Sequence, residues 1–236
     1  MRIPDAVHAL ARDLGQIFGN RLQSVVAYGL DANAHAAPDA HAPAHTLAIV
    51  ETLTREDLEA SARRVDGWHD AGLATPLLLV AREFEASLDA FPLEFGAILA
   101  DHALVSGRNP FEGLAIDPTD LRRACEVQAR SHLLHLREGF LETRGRGDAL
   151  ALLIVGSAAP FAALLKSIAR LEGADGRDAS AAGRHAERRL DVAGGIVTSV
   201  VAMAGVTEIS SEEAIRMFPR YLDAVERLVA YVDTWR

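Results

Sequence analysis

The sequence holds a single cysteine, Cys125, so no disulfide can close within the chain. That usage fits a reducing compartment, and the expected location is cytoplasmic. Lysine is as scarce: of 24 Lys and Arg residues only Lys166 is a lysine, which reads as a coding bias toward arginine and not as a phosphate-binding device. The formal net charge is −9. A broad grip on nucleic acid needs basic side chains to replace phosphate counterions, so no extended nucleic-acid binding is expected. Aromatic residues make up only 6% of the chain, so the core must be mostly Leu, Ala, Val and Ile. That suits helices packed on helices or on a small sheet. The opening MRIPDAVHALARDLG has no apolar core ahead of a cleavage site and is not read as a signal peptide. The longest apolar stretch, residues 149–165, contains Ser157 and Pro160. It falls short of the ~20 residues that span a bilayer, so no membrane role is expected.

What the chain does have is apolar periodicity. Half of its residues are hydrophobic and 24% are charged, enough to build a packed core. Val7, Leu10, Ala11, Leu14, Ile17 and Phe18 recur at helical spacing over residues 4–18, and Gly19-Asn20 stops that helix. LQSVVAYG, residues 22–29, reads as a buried strand closed by glycine. The tract 31–45, DANAHAAPDAHAPAH, has no usable period and reads as a loop. Further strands are read at 45–51 and 75–81, with a helix between them opened by the capping pair Thr54 and Asp57 and running to about residue 71. FPLEFGAIL, residues 91–99, alternates and reads as a fourth strand. HALVSGRNPFEGLAIDP reads as a crossing between domains. Beyond Pro118 the pattern is helical: about 118–143, 148–171 with a kink at Pro160, 190–204 after a flexible connection, and 211–234. The fold class is α+β, with a small mixed-sheet domain over 1–105 and an antiparallel helical bundle over 106–236.

The order helix, strand ending in glycine, loop, strand, helix, strand, strand resembles the DNA polymerase beta-like nucleotidyltransferase superfamily. The helical second half resembles the bundle that follows this core in aminoglycoside-type nucleotidyltransferases. The run from FPLEFGAILADHALVSGRNPF to LRRACEVQARSHLLHLREGFLE is similar to a group of uncharacterised bacterial nucleotidyltransferase-like proteins. The resemblance implies a Gly-Ser pair after the first strand, two aspartates one residue apart on the second, and a third carboxylate on a later strand. Alternate strand residues face one side, so an Asp-x-Asp pair aims both carboxylates at one Mg²⁺.

The sequence departs from that pattern at each step. Gly29 is kept, but Leu30 stands where the hydroxyl would be. Ala44 and Thr46 align with the paired aspartates, and a one-residue slip would substitute His45 and Leu47. No Asp or Glu occurs from residue 40 to residue 50 in either register. Glu94 falls near the third carboxylate, as a remnant of a cleft or as a solvent-facing strand residue. The expectation is therefore a nucleotidyltransferase-like pseudoenzyme that binds a nucleotide-like small molecule or a protein partner. Its candidate cleft comprises Tyr28, Gly29, Asp31, Thr46, Glu51 and Glu94, with no catalytic residue, no metal ligand and no cofactor. Two alternatives stand beside it. One is an active Mg²⁺-dependent transferase in which Asp31, Glu51 and Glu94 converge. The other is an oligomerising subunit, such as a homodimer, with an apolar stripe around Leu222, Val225 and Val229.

Other motifs have plainer readings. Asp31, His35, Asp39, His41 and His45 match no metal-ligand spacing and read as a solvated loop. Arg130 and His135 have the Arg-x4-His spacing of a ribonuclease motif, against a polar contact between helices involving His132. Cys125 reads as a core residue, and Gly194-Gly195 as a site of close packing or a local break.

Overall fold

The computed structural model describes residues 3–30 and 43–235. The chain divides into two compact units, up to Ile116 and from Asp117 onward. Residues 106–116 therefore belong to the first unit, where Phe111 is a buried core residue.

In the first unit, helix α1 (Asp5–Phe18) precedes strand β1 (Leu22–Tyr28), and β2 (His45–Val50) pairs antiparallel with it. Two short helices, α2 (Arg55–Ala62) and α3 (Val65–Asp70), lead to β3 (Leu77–Val80), which lies parallel to β2. The single helix expected over 54–71 is thus broken in two. At its start, Thr54 and Asp57 form the expected capping box. The Arg21 guanidinium grips the Asp57 carboxylate with two bonds of 2.7 Å and holds its carboxyl well below the usual range.

Helix α4 (Ala81–Ala90) follows β3 directly, and α5 (Pro92–Ala100) follows α4. The expected strand over 91–99 is therefore a helix. Pro92 cannot donate to a sheet ladder but suits a first helical turn, and Phe95 and Ile98 supply a buried helical face. The fourth strand is β4 (His102–Gly107), inside the stretch read as a crossing, and it pairs antiparallel with β1. The glycines and prolines after it masked a short alternating run.

The sheet order is β3-β2-β1-β4. One face carries Val25, Ala27, Ala48 and Val50 against Val7, Leu10, Leu14 and Phe18 of α1. Full burial of each Val, Leu or Phe side chain among them stabilises by roughly 1.5–3 kcal/mol. The other face carries Val26, Leu47 and Ile49 against Phe84, Phe95, Ile98 and Phe111.

The second unit is helical: α6 (Pro118–Thr143), α7 (Gly147–Leu171), α8 (Ala179–Leu190), α9 (Ile196–Val201) and α10 (Ser211–Val232). Helix α8 begins inside the expected flexible connection, where Asp178 caps it. The expected helix at 190–204 is the shorter α9, and Gly195 in a left-handed conformation opens it. Helix α7 continues through Pro160 and, with 25 residues, is long and apolar enough to cross a membrane by length and composition. In the fold it is the bundle's shared partner, packing on α6, α8, α9 and α10. Val225 and Val229 are buried and Leu222 is half-buried, so the expected stripe on the last helix is core and not a free face.

Candidate functional site

The sheet topology decides which sequence-marked residues meet. Strand β1 ends at Tyr28, opposite His45 of β2 on one side and His102 of β4 on the other. These three form a row across the sheet, and the Tyr28 and His45 rings stack with centroids 5.4 Å apart. Partial burial raises the Tyr28 phenol above its ordinary value. Gly29 follows at φ +69, a left-handed conformation that favours glycine, and its N–H donates to the Asp101 carbonyl at 3.2 Å. Leu30, in the position of the missing hydroxyl, is buried at 7% exposure. Tyr28, Gly29 and Thr46 therefore gather at one end of the sheet, since Thr46 pairs with Ala27.

Thr46 does not face an open cleft. It is 1% exposed, on the face of β2 that packs beneath α1, and its hydroxyl has no hydrogen-bond partner. Ala44 lies in the same core. In the slipped register, His45 is exposed, whereas Leu47 is fully buried under Phe84, Phe95 and Phe111. Both alignments of the Asp-x-Asp pair thus land on at least one position that is packed and apolar. Hard Mg²⁺ needs several oxygen ligands at short range. These positions do not fit it, and among the described residues no group of three or more His, Cys, Asp or Glu side chains could hold a metal.

The remaining candidates are dispersed. Asp31 lies outside the described residues, as do His35, Asp39 and His41 of the same tract. Glu51 follows the far end of β2, five residues beyond Thr46 and so ~17 Å away along the strand. There its amide donates to the Arg21 carbonyl and its side chain is exposed. Glu94 lies in the first turn of α5, exposed, while the C-terminal end of that helix meets Gly29 through Asp101. Glu94 and Asp101 are seven positions apart, ~10 Å along the helix axis. Asp101, which immediately precedes β4, reaches Gly29 through its backbone carbonyl. It was missed because β4 itself was missed. His102 is held by the Leu99 carbonyl at 3.1 Å and Asn109 Oδ1 at 3.2 Å, and its ring packs on Phe111.

In the helical unit, His132 lies in the core, its Nε2 2.6 Å from the Tyr221 hydroxyl, which also meets Ser157 Oγ at 3.1 Å. Burial lowers the His132 pKa to about 4 and raises the Tyr221 phenol. Arg130 pairs with Asp233 at 2.6 Å, and the exposed His135 turns back to the Ser131 carbonyl at 2.8 Å. The Arg-x4-His spacing therefore places two residues in separate polar contacts. Cys125 is fully buried, and burial pushes its thiol up to about 12, as suits a core residue and not a nucleophile. Gly194 packs against Arg220, which donates to the Ala193 and Gly194 carbonyls.

No family model matches the chain, and no curated protein matches its sequence. Among solved structures it is similar to the spectinomycin adenyltransferase AAD(9) from Enterococcus faecialis, crystallised with ATP and spectinomycin. The likeness covers 98% of this chain and 99% of that one, with a TM-score of 0.59 and 9% sequence identity. At that identity the likeness is one of fold: the chain has a nucleotidyltransferase-like α+β architecture with a helical C-terminal region.

Proposed function

We propose that this protein is a noncatalytic member of the nucleotidyltransferase fold, acting as a ligand-binding or regulatory scaffold. The observation that carries the reading is the fate of the second strand. Neither register of β2 offers a carboxylate, and Ala44, Thr46 and Leu47 are all committed to packing. Metal-assisted phosphoryl transfer needs ions that bridge and neutralise phosphate oxygens, and among the described residues no group of carboxylates could hold them. Convergence of Asp31, Glu51 and Glu94 is disfavoured, because Glu51 stands at the opposite end of the sheet from Gly29. The cytoplasm is the proposed location, consistent with one buried thiol.

The test is transfer of label from α-³²P-labelled ATP, GTP, CTP or UTP with Mg²⁺, beside calorimetry with the same nucleotides. The expected result is no labelled product. Metal-dependent transfer to any acceptor, small molecule or protein, would refute the noncatalytic reading.

A partner-binding version is favoured by one feature of α6. Val127, Leu134 and Leu141 are 61%, 62% and 75% exposed and recur every seven residues, so they line one helix face. Sedimentation velocity of wild type and Leu134→Glu would test self-association. A monomer at high concentration in both would remove the homodimer.

A further inference from the structure

At the end of the sheet opposite Gly29, strands β2, β3 and β4 all finish, because each runs antiparallel to β1 or parallel to β2. The carboxyl ends of parallel strands are a recurrent place for ligands in α/β sheets. A cavity of about 670 Å³ lies there, within the range of small-molecule sites. Its lining includes Gln23, Ser24, Phe84, Glu85, Arg108 and Glu112. Ser24 is 3% exposed, and its Oγ has no hydrogen-bond partner. A buried hydroxyl left unpaired costs stability unless something completes it. Ser24 shares the face of β1 that carries Val26 and packs against Phe84, and both Ser24 and Phe84 line the cavity.

Charge decides the class of ligand. Two carboxylates, Glu85 and Glu112, oppose one guanidinium, Arg108, around the cavity. The adjoining cleft adds Glu51 and Glu83 against Arg82. The positive end of α4 opens on the same region, but the Glu83 carboxylate caps it by accepting from the Val80 N–H at 3.0 Å. The field is therefore acidic, with an aromatic and aliphatic floor and one hydroxyl awaiting a partner.

We infer that this cavity binds a small hydroxylated organic cation, whose charged head lies toward Glu85 and Glu112 and whose hydroxyl meets Ser24. An ammonium head also gains from the negative face of an aromatic ring such as Phe84. The inference rests on the ligand-binding part of the proposed function but not on the absence of transfer. Labelled nucleotide transfer would sink the noncatalytic reading and leave this cavity untouched.

The experiment is amide-resolved NMR of the full chain, titrated at constant ionic strength with choline and with ethanolamine. The uncharged choline isostere 3,3-dimethyl-1-butanol is the control. Saturable shifts are expected at the amides of Gln23, Ser24 and Gly107 with at least one of the cations. Glu85→Gln/Glu112→Gln alters exposed positions and should weaken that binding about tenfold or more. Ser24→Ala should weaken it by a similar factor without loss of the folded spectrum. Absence of saturable shifts at these amides with both cations overturns the inference. So does equal affinity for the uncharged isostere, or binding that survives the double glutamine variant unchanged.

Discussion

Thr46 gives the sharpest test of why the aligned carboxylates are missing. Its side chain is 1% exposed beneath α1, and its hydroxyl has no partner. Thr46→Val keeps the branched shape and deletes that unpaired group, so it should be neutral or stabilise the first unit by about 1 kcal/mol. Thr46→Asp restores a carboxylate at the aligned position and should do the reverse. A fully buried carboxyl resists ionisation by about 3–5 pKa units; it is then protonated at neutral pH, where the lost ionisation costs about 4 kcal/mol. That is a large share of the roughly 5–15 kcal/mol that holds a typical domain together. The assay is urea unfolding followed by tryptophan fluorescence. The chain has two tryptophans, so a Trp235→Phe background leaves Trp68, which is 4% exposed in the same core as α1, as the single reporter. Thr46→Asp should unfold at far lower urea, or in none at all, and gain no nucleotide transfer. A Thr46→Asp protein with the wild-type midpoint would refute the reasoning, because that side of β2 would then have to be open to water.

The helical unit should lose stability in mild acid. His132 is buried with its pKa lowered from 6.5 to about 4, so it stays neutral in the folded state while the unfolded chain takes up a proton. The stability it confers is complete above pH 6.5 and falls as pH drops toward 4, by about 2 kcal/mol between pH 6.5 and 5. Urea midpoints by circular dichroism should show this slope, and His132→Gln should flatten it; an equal slope in the variant would reject the assignment. Gly107 has φ +79, and a Cβ there would lie 2.0 Å from the Gln23 carbonyl oxygen. Gly107→Ala should cost about 2 kcal/mol or more in the Trp68-reported transition, and an unchanged midpoint would show that β1 and β4 need no such approach.

Much of this molecule was written in its local pattern. Apolar spacing over residues 7–18 dictated α1, the glycine-closed run before Gly29 dictated β1, and the Thr54–Asp57 pair dictated the start of α2. The absence of Asp and Glu between residues 40 and 50 was likewise a property of the sequence alone, independent of any alignment. What failed was whatever depended on competition between periods. Residues 91–99 alternate as well as a strand does, and only burial of Phe95 and Ile98 on one side made a helix of Pro92–Ala100. That error hid β4, and with it Asp101 and His102.

Tertiary structure alone decided which residues meet. The strand register put Tyr28 beside His45 and His102 and sent Glu51 to the far end of the sheet. It also turned Ala44 and Thr46 inward and left the Ser24 hydroxyl beside a cavity without a partner. Residue type is local, so the sequence could establish that the paired carboxylates are absent. Facing and convergence depend on pairing between distant segments, so only the folded sheet could show that their places are filled by packing.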